Sequence, residues 1–189
     1  METSDCQRKV QRFRPWLALI SLLAAVAFLG CQSQEPQLRP GAAEFKKEVQ
    51  DCIATLRTAL IEPLSKRDIP AINETLKKVE PEAIKLCRMC PFRIGVLNQE
   101  GYTLTVYPPK EDAIGNFSNY EVVIQALKSR RTATQRFFLQ DGSQIYLICI
   151  PILKDDRVLG ILALAVSAEE AKKRWDMTAQ EFLAIDFNR

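Results

Sequence analysis

The chain has 189 residues, 47% of them hydrophobic and 26% charged, enough to bury the core of one domain. Its net charge is +3; setting aside residues 1–30 removes two acids (Glu2, Asp5) with four bases (Arg8, Lys9, Arg12, Arg14) and leaves +1, which carries no global signal for nucleic acid. No histidine is present, which excludes c-type haem attachment through CxxCH, Ser-His and Cys-His catalysis, and His-ligated metals.

The N-terminus has a basic region ending at Arg14 and then an uncharged segment, Pro15 to Gly30 (PWLALISLLAAVAFLG). That is short of the ~20 apolar residues that span a bilayer comfortably, and with its positive flank it reads as a secretory signal peptide. Phe28-Leu29-Gly30-Cys31 resembles the lipobox of bacterial lipoproteins, with Phe28 where Leu is usual. The resemblance implies a diacylglycerol on the Cys31 sulfur, cleavage before it, and acylation (palmitate) of the new N-terminus. The alternative is an uncleaved signal anchor with an incidental Cys31. The apolar run stops at Cys31 and a polar stretch starts at once, which favours the lipoprotein. Gln32 to Gly41 (QSQEPQLRPG) reads as a tether that keeps the domain at most ~35 Å from the lipid.

From Glu44 the pattern is helical. Phe45, Val49, Cys52, Ile53, Leu56 and Leu60 recur at the 3.6-residue period, and Pro63 is expected to stop the helix. Asp68 is placed to cap a second helix with Pro70 in its first turn. Ile72, Leu76 and Val79 form its stripe, and Pro81 is expected to kink or restart it before Cys87. Phe92 to Asn98 and Tyr102 to Tyr107 read as strands around a Gln99-Glu100-Gly101 turn, the second ended by Pro108-Pro109. Ser118 and Glu121 have capping-box spacing, with Phe117 and Val122 as a staple, for a short helix burying Tyr120, Val123, Ile124 and Leu127. Thr132 to Leu139 is the third strand.

Gln144 to Val166 organises the rest: QIYLICIPIL and VLGILALAV flank the charged connection KDDR, expected as a four-residue hairpin loop. Both runs are apolar at odd and even positions alike, so both faces of their sheet should be covered. This hairpin is expected to wall any binding site. Ser167 with Glu170, and Thr178 with Glu181, are spaced to cap two final helices, the second with Met177 and Phe182 as a staple. The expected divisions are a signal peptide (1–30), lipidated Cys31 and tether (31–43), a folded domain (44–175) and a C-terminal helical tail (176–189).

That element order resembles the Cache family of extracytoplasmic sensor domains. The resemblance rests on NQEGYTLTVYP, on Ile114-Gly115 before the short helix, and on DGSQIYLICIPILKDDRVLGILALAVS with Pro151, Gly160 and Ser167. It implies an α+β fold: a PAS-like five-stranded antiparallel sheet with a long N-terminal helix pair and a short helix. It also implies a periplasmic small-molecule pocket between the sheet and its covering helix and loops. Relatives usually continue into an output module; this sequence ends at Arg189, so signalling is expected through a separate membrane-bound partner. The N-terminal helix is a candidate surface for a homodimer.

Arg136 lies within a strand, and Tyr146 and Tyr107 lie on neighbouring candidate strands. A guanidinium beside two phenols would suit a carboxylate, which Arg binds in a fork. Arg93 is a further candidate, and Lys110 could close the pocket from its loop. The ligand expected from this set is a small carboxylate, and the resemblance implies ligands of this kind, amino acids or small organic acids; the plainer alternative is exposure for Arg136 and packing for the tyrosines. Cys87-Arg88-Met89-Cys90-Pro91 contains CxxC at the end of a helix, where the dipole disfavours a thiolate, so a structural disulfide is favoured over a redox site. Cys52, Cys87, Cys90 and Cys149 allow three full pairings, and as zinc ligands they are too scattered. No metal, cofactor or enzymatic activity is expected. The leading reading is a lipid-anchored periplasmic sensor on the inner or outer membrane. The alternatives are a ligand-free interaction lipoprotein and, last, a CxxC thiol oxidoreductase.

Overall fold

The computed structural model describes residues 38–87, 93–109 and 115–189, and side chains outside 79–93. The elements are helices α1 (Pro40–Lys66) and α2 (Ile69–Cys87), strands β1 (Arg93–Leu97) and β2 (Thr103–Tyr107), and helix α3 (Glu121–Ser129). Strands β3 (Ala133–Phe138), β4 (Gln144–Lys154) and β5 (Arg157–Ser167) follow, then helices α4 (Ala168–Trp175) and α5 (Ala179–Ala184). The strands form one antiparallel sheet in the order β2-β1-β5-β4-β3, the α+β class that the sequence indicates.

The β4–β5 hairpin lies across the middle of this sheet. Its register runs from Ile145 opposite Ser167 to Lys154 opposite Arg157, so the turn is only Asp155-Asp156. Both aspartates have positive φ, 49° and 61°, the type I′ pattern whose twist matches the flanking strands. The expected four-residue loop is thus shortened, because Lys154 and Arg157 pair as strand residues.

Strand alternation divides the hairpin between two cores. Tyr146, Ile148, Ile150, Ile152, Leu162, Leu164 and Val166 pack with Ile94 and Val96 against α1 and α2. Cys149 and Ile161 face the other way, with Leu97 and Ala133, under Val122, Val123 and Ala126 of α3. Covering both faces explains why the two runs are apolar throughout.

The helix ends depart from the sequence reading in informative ways. Helix α1 begins at Pro40, four residues before Glu44, because proline at the first helical position gives up an N–H that would be unpaired anyway. It then runs past Pro63, since Leu64 beyond it is buried, and stops when Arg67 turns left-handed. The Arg67 and Asp68 N–H groups cap the Leu64 and Pro63 carbonyls. Helix α2 is capped by Asp68, whose Oδ1 accepts from the Ala71 N–H at 3.0 Å, and is one element through Pro81. The Ser118–Glu121 capping box does not form. Tyr120 is the N-cap of α3, and Gln135 Oε1 of β3 accepts the Val122 N–H at 3.2 Å.

Residues 176–189 are part of the core and not a tail. Met177, Phe182, Ile185 and Phe187 are buried, and Phe45 of α1 meets Trp175, Phe182 and Phe187 edge-on at 5.0, 6.4 and 6.2 Å. The Thr178–Glu181 capping box forms as read, and Arg39 ties the segment to α1 through ion pairs with Asp176 and Glu181. The compact unit is therefore Leu38–Arg189, wider than 44–175 at both ends.

Candidate functional site

The α3 side of the sheet is less completely filled than the α1 side, and strand β5 shows why. Its residues toward α1 are large (Leu162, Leu164, Val166), while Ala163 and Ala165 face α3. Gly95 of β1 pairs directly with Ala163. Three small side chains at the sheet centre leave a cavity of about 400 Å³ between sheet and α3.

Ile145, Leu147 and Cys149 of β4 extend its floor, and Phe117, Tyr120, Val123 and Phe137 form the opposite wall. The rings of Phe117, Tyr120 and Phe137 stand in a chain, 5.1 and 5.5 Å between centroids. Thr103 lines the cavity, but its hydroxyl is engaged with the Gly115 backbone, 3.1 Å from the carbonyl oxygen and 3.3 Å from the nitrogen. Burial pushes the Cys149 thiol up to about 12, so it stays protonated and behaves as an apolar group. The described lining carries no ionisable group besides this thiol and the Tyr120 phenol.

Arg136, Tyr146 and Tyr107 lie on the other face. Arg136 pairs with Tyr146 in register, but it is exposed, its guanidinium 4.9 Å over the Phe138 ring. Tyr146 is buried and stacks on Phe182 at 4.2 Å. Burial raises its phenol above the ordinary value, and the charge of Arg136 partly offsets this. Tyr107 packs against the α1-side core on β2, at the opposite edge of the sheet from β3. Four strand spacings separate those edges, about 19 Å. The carboxylate-binding trio therefore does not assemble, because residue parity in each strand sends all three away from the cavity.

Arg93 opens β1 opposite Ala165; its side chain, and Lys110, lie outside the described residues, as do Cys31 and Cys90. Cys87 is the last residue of α2. Cys52 and Cys149 belong to cores on opposite faces of the sheet and cannot pair with each other. Tyr120, read as buried, is 40% exposed at the cavity mouth. The alternation of large and small residues in ILALAV (161–166) was the available signal for the hollow; Phe117 and Phe137 had none, since only the tertiary fold brings them together.

A second depression, about 500 Å³, lies between the end of α1 and the β1–β2 and β4–β5 turns. Arg67, Lys154 and Arg157 share it with Glu100 and Asp155, all exposed, so it is a solvated surface of mixed sign. Among the described residues no helix is long and apolar enough to cross a membrane.

No protein-family model and no curated protein matches the chain. Solved structures do match it. A domain assigned to a sensory box/GGDEF family protein from Vibrio parahaemolyticus is 15% identical, with a TM-score of 0.55 over 75% of this chain. The extracellular domain assigned to histidine kinase vpHK1S-Z8 is 16% identical, with a TM-score of 0.51 over 75%. The ligand-binding domain of the Pseudomonas fluorescens chemoreceptor CtaA, solved with L-isoleucine, is 13% identical, with a TM-score of 0.53 over 71%. The chain covers 61%, 58% and 55% of those three. The fold is thus that of Cache/PAS-like sensor domains.

Proposed function

We propose that this protein is a lipid-anchored, extracytoplasmic small-molecule sensor whose ligand sits between the sheet and α3. The observation that carries the reading is the cavity itself. Its size, about 400 Å³, falls in the range of small-molecule sites, and it lies where small residues replace core-sized ones at the centre of the sheet. The role proposed for the cavity is binding, and burial keeps its Cys149 thiol protonated. Cys31 carries the lipid, the domain stands in the periplasm on the inner or outer membrane, and a membrane-bound partner reads its state. Arg136 lies outside the cavity, so the carboxylate or amino acid proposed as ligand is assigned to Arg93, whose backbone pairs with Ala165 of the lining.

A docking function is the second reading, favoured by the exposed Phe138 and Leu139 beside the mouth. A thermal-shift screen of the full chain separates the two. Under the sensor reading at least one small molecule raises the melting temperature, and Ala163→Leu, which fills the cavity, removes that shift. A hit that survives Ala163→Leu would move the site elsewhere. For the anchor, Cys31→Ala is expected to abolish incorporation of labelled fatty acid, and unchanged labelling would sink that assignment.

A further inference from the structure

We infer that the paired residues Gly95 and Ala163 determine the size of ligand that the cavity accepts: the branched or cyclic hydrocarbon end of a carboxylate or amino acid lies over them. The inference rests on the cavity being the ligand site.

The ladder sets one short residue after another across the sheet. Gly95 of β1 stands opposite Ala163 of β5, Ala163 opposite Cys149 of β4, and Cys149 opposite Ala133 of β3. At the β3 end α3 closes the space, since Ala133 and Cys149 are buried with Val122, Val123 and Ala126. Gly95 and Ala163 lie on the cavity floor, across from the ring chain of Phe117, Tyr120 and Phe137. Two residues further along β1, buried Leu97 pairs with buried Ile161 and bounds the floor on that side. Two residues the other way, Arg93 pairs with Ala165. Those positions are ~7 Å apart along the strand. A ligand whose carboxylate is met at the Arg93 end of the floor therefore carries its hydrocarbon body over Gly95 and Ala163.

Gly95 is a choice that the fold does not impose. A Cβ there would meet the Ala163 Cβ at 3.6 Å, an ordinary contact, and no left-handed backbone angle requires glycine. Glycine inside a strand weakens it, and it marks places where a ligand approaches the backbone closely. Packing thus tolerates a larger residue at 95, whereas a ligand seated against the sheet does not. In an apolar pocket one methylene gained or lost changes affinity ~10–200-fold. A single methyl group on this floor is enough to alter which ligands fit.

The test titrates two matched pairs against the full chain while the melting temperature is read: propionate with cyclohexanecarboxylate, and L-alanine with L-leucine. Wild type is expected to prefer the bulkier member of at least one pair by ~10-fold or more in apparent affinity. Gly95→Ala and Ala163→Val are each expected to cut that preference by ~10-fold or more, chiefly by weakening the bulkier ligand. Either variant suffices, provided its ligand-free circular dichroism matches wild type; if both misfold, packing fixes these positions and the inference falls. A variant that weakens both members of a pair equally overturns the size rule but keeps the cavity as the site. A wild type that prefers the smaller member does the same. Unchanged titrations in both folded variants overturn the size rule and the assignment of the ligand to this cavity together. If none of the four compounds shifts wild type, the size rule falls, and the sensor reading is decided by the wider thermal-shift screen.

Discussion

Arg136 shows how much hangs on the parity of one residue in a strand. The sequence places it inside β3 with polar and aromatic neighbours, which fits a carboxylate site. Its pairing with Tyr146 puts it on the α1 face, at an edge strand, where the guanidinium stays in solvent over Phe138. An exposed cation–π contact of this kind contributes ~0.5–1 kcal/mol, so Arg136→Ala should cost no more than that in a urea titration. It should also leave any ligand-induced melting shift intact, and loss of that shift would restore Arg136 to the site. Glu181 carries the clearest pH dependence. The Arg39 guanidinium, with bonds from the Thr178 backbone and hydroxyl, holds its carboxyl at about 2. A carboxyl lowered on folding stabilises above its unfolded value, near 4.3, and loses that contribution as the pH falls toward 2. Glu181→Gln should therefore lower the urea midpoint at neutral pH, with the difference from wild type closing between roughly pH 4.5 and pH 2. A difference independent of pH would show that packing, not charge, is responsible.

At the scale of elements, the sequence discloses local partnerships and conceals those made across the fold. Thr178 and Glu181 cap α5 as their spacing predicts, because both partners lie within one turn. Ser118 and Glu121 have the same spacing and fail, because Gln135 from β3 satisfies the α3 N-terminus first. Pro63 fails as a stop signal because burial of Leu64 offsets the lost helix bond. The hairpin turn shows the same limit, since KDDR gives no Asn-Gly signature and the left-handed angles are imposed by the strands on either side. That leaves two adjacent aspartates in a conformation that L-residues adopt at a cost. The double substitution Asp155→Asn with Asp156→Gly should raise unfolding stability by up to ~1 kcal/mol, measured by chemical denaturation, since glycine relieves the backbone and the paired negative charges go. A destabilised variant would mean that the aspartates make contacts that outweigh the strain.

The whole molecule is a sheet with two unequal faces. The α1 face closes over Phe45 and draws in the C-terminal segment as well, so it reads from the sequence as an unbroken apolar stripe. The α3 face is hollow, and its hollow was legible only in the small residues of β5. Two glycines separate what the fold requires from what it merely permits. A Cβ on Gly160 would lie 2.4 Å from the Leu97 carbonyl oxygen, so glycine there is fixed by the close approach of β5 to β1. A Cβ on Gly95 meets only Ala163 at contact distance, and glycine inside a strand is less stable than alanine by roughly 0.5–1 kcal/mol. Gly95→Ala should therefore stabilise the empty protein by about that amount while weakening any ligand-induced melting shift, because the methyl group occupies cavity volume. Gly160→Ala should do the opposite to stability, costing ~1–3 kcal/mol through forced displacement of β1. The paired measurement is a urea titration and the thermal-shift screen on each variant. Should Gly95→Ala lose stability, Gly95 serves the packing of β1 on β5. The cavity would then be a by-product of that packing, with no claim to be a binding site.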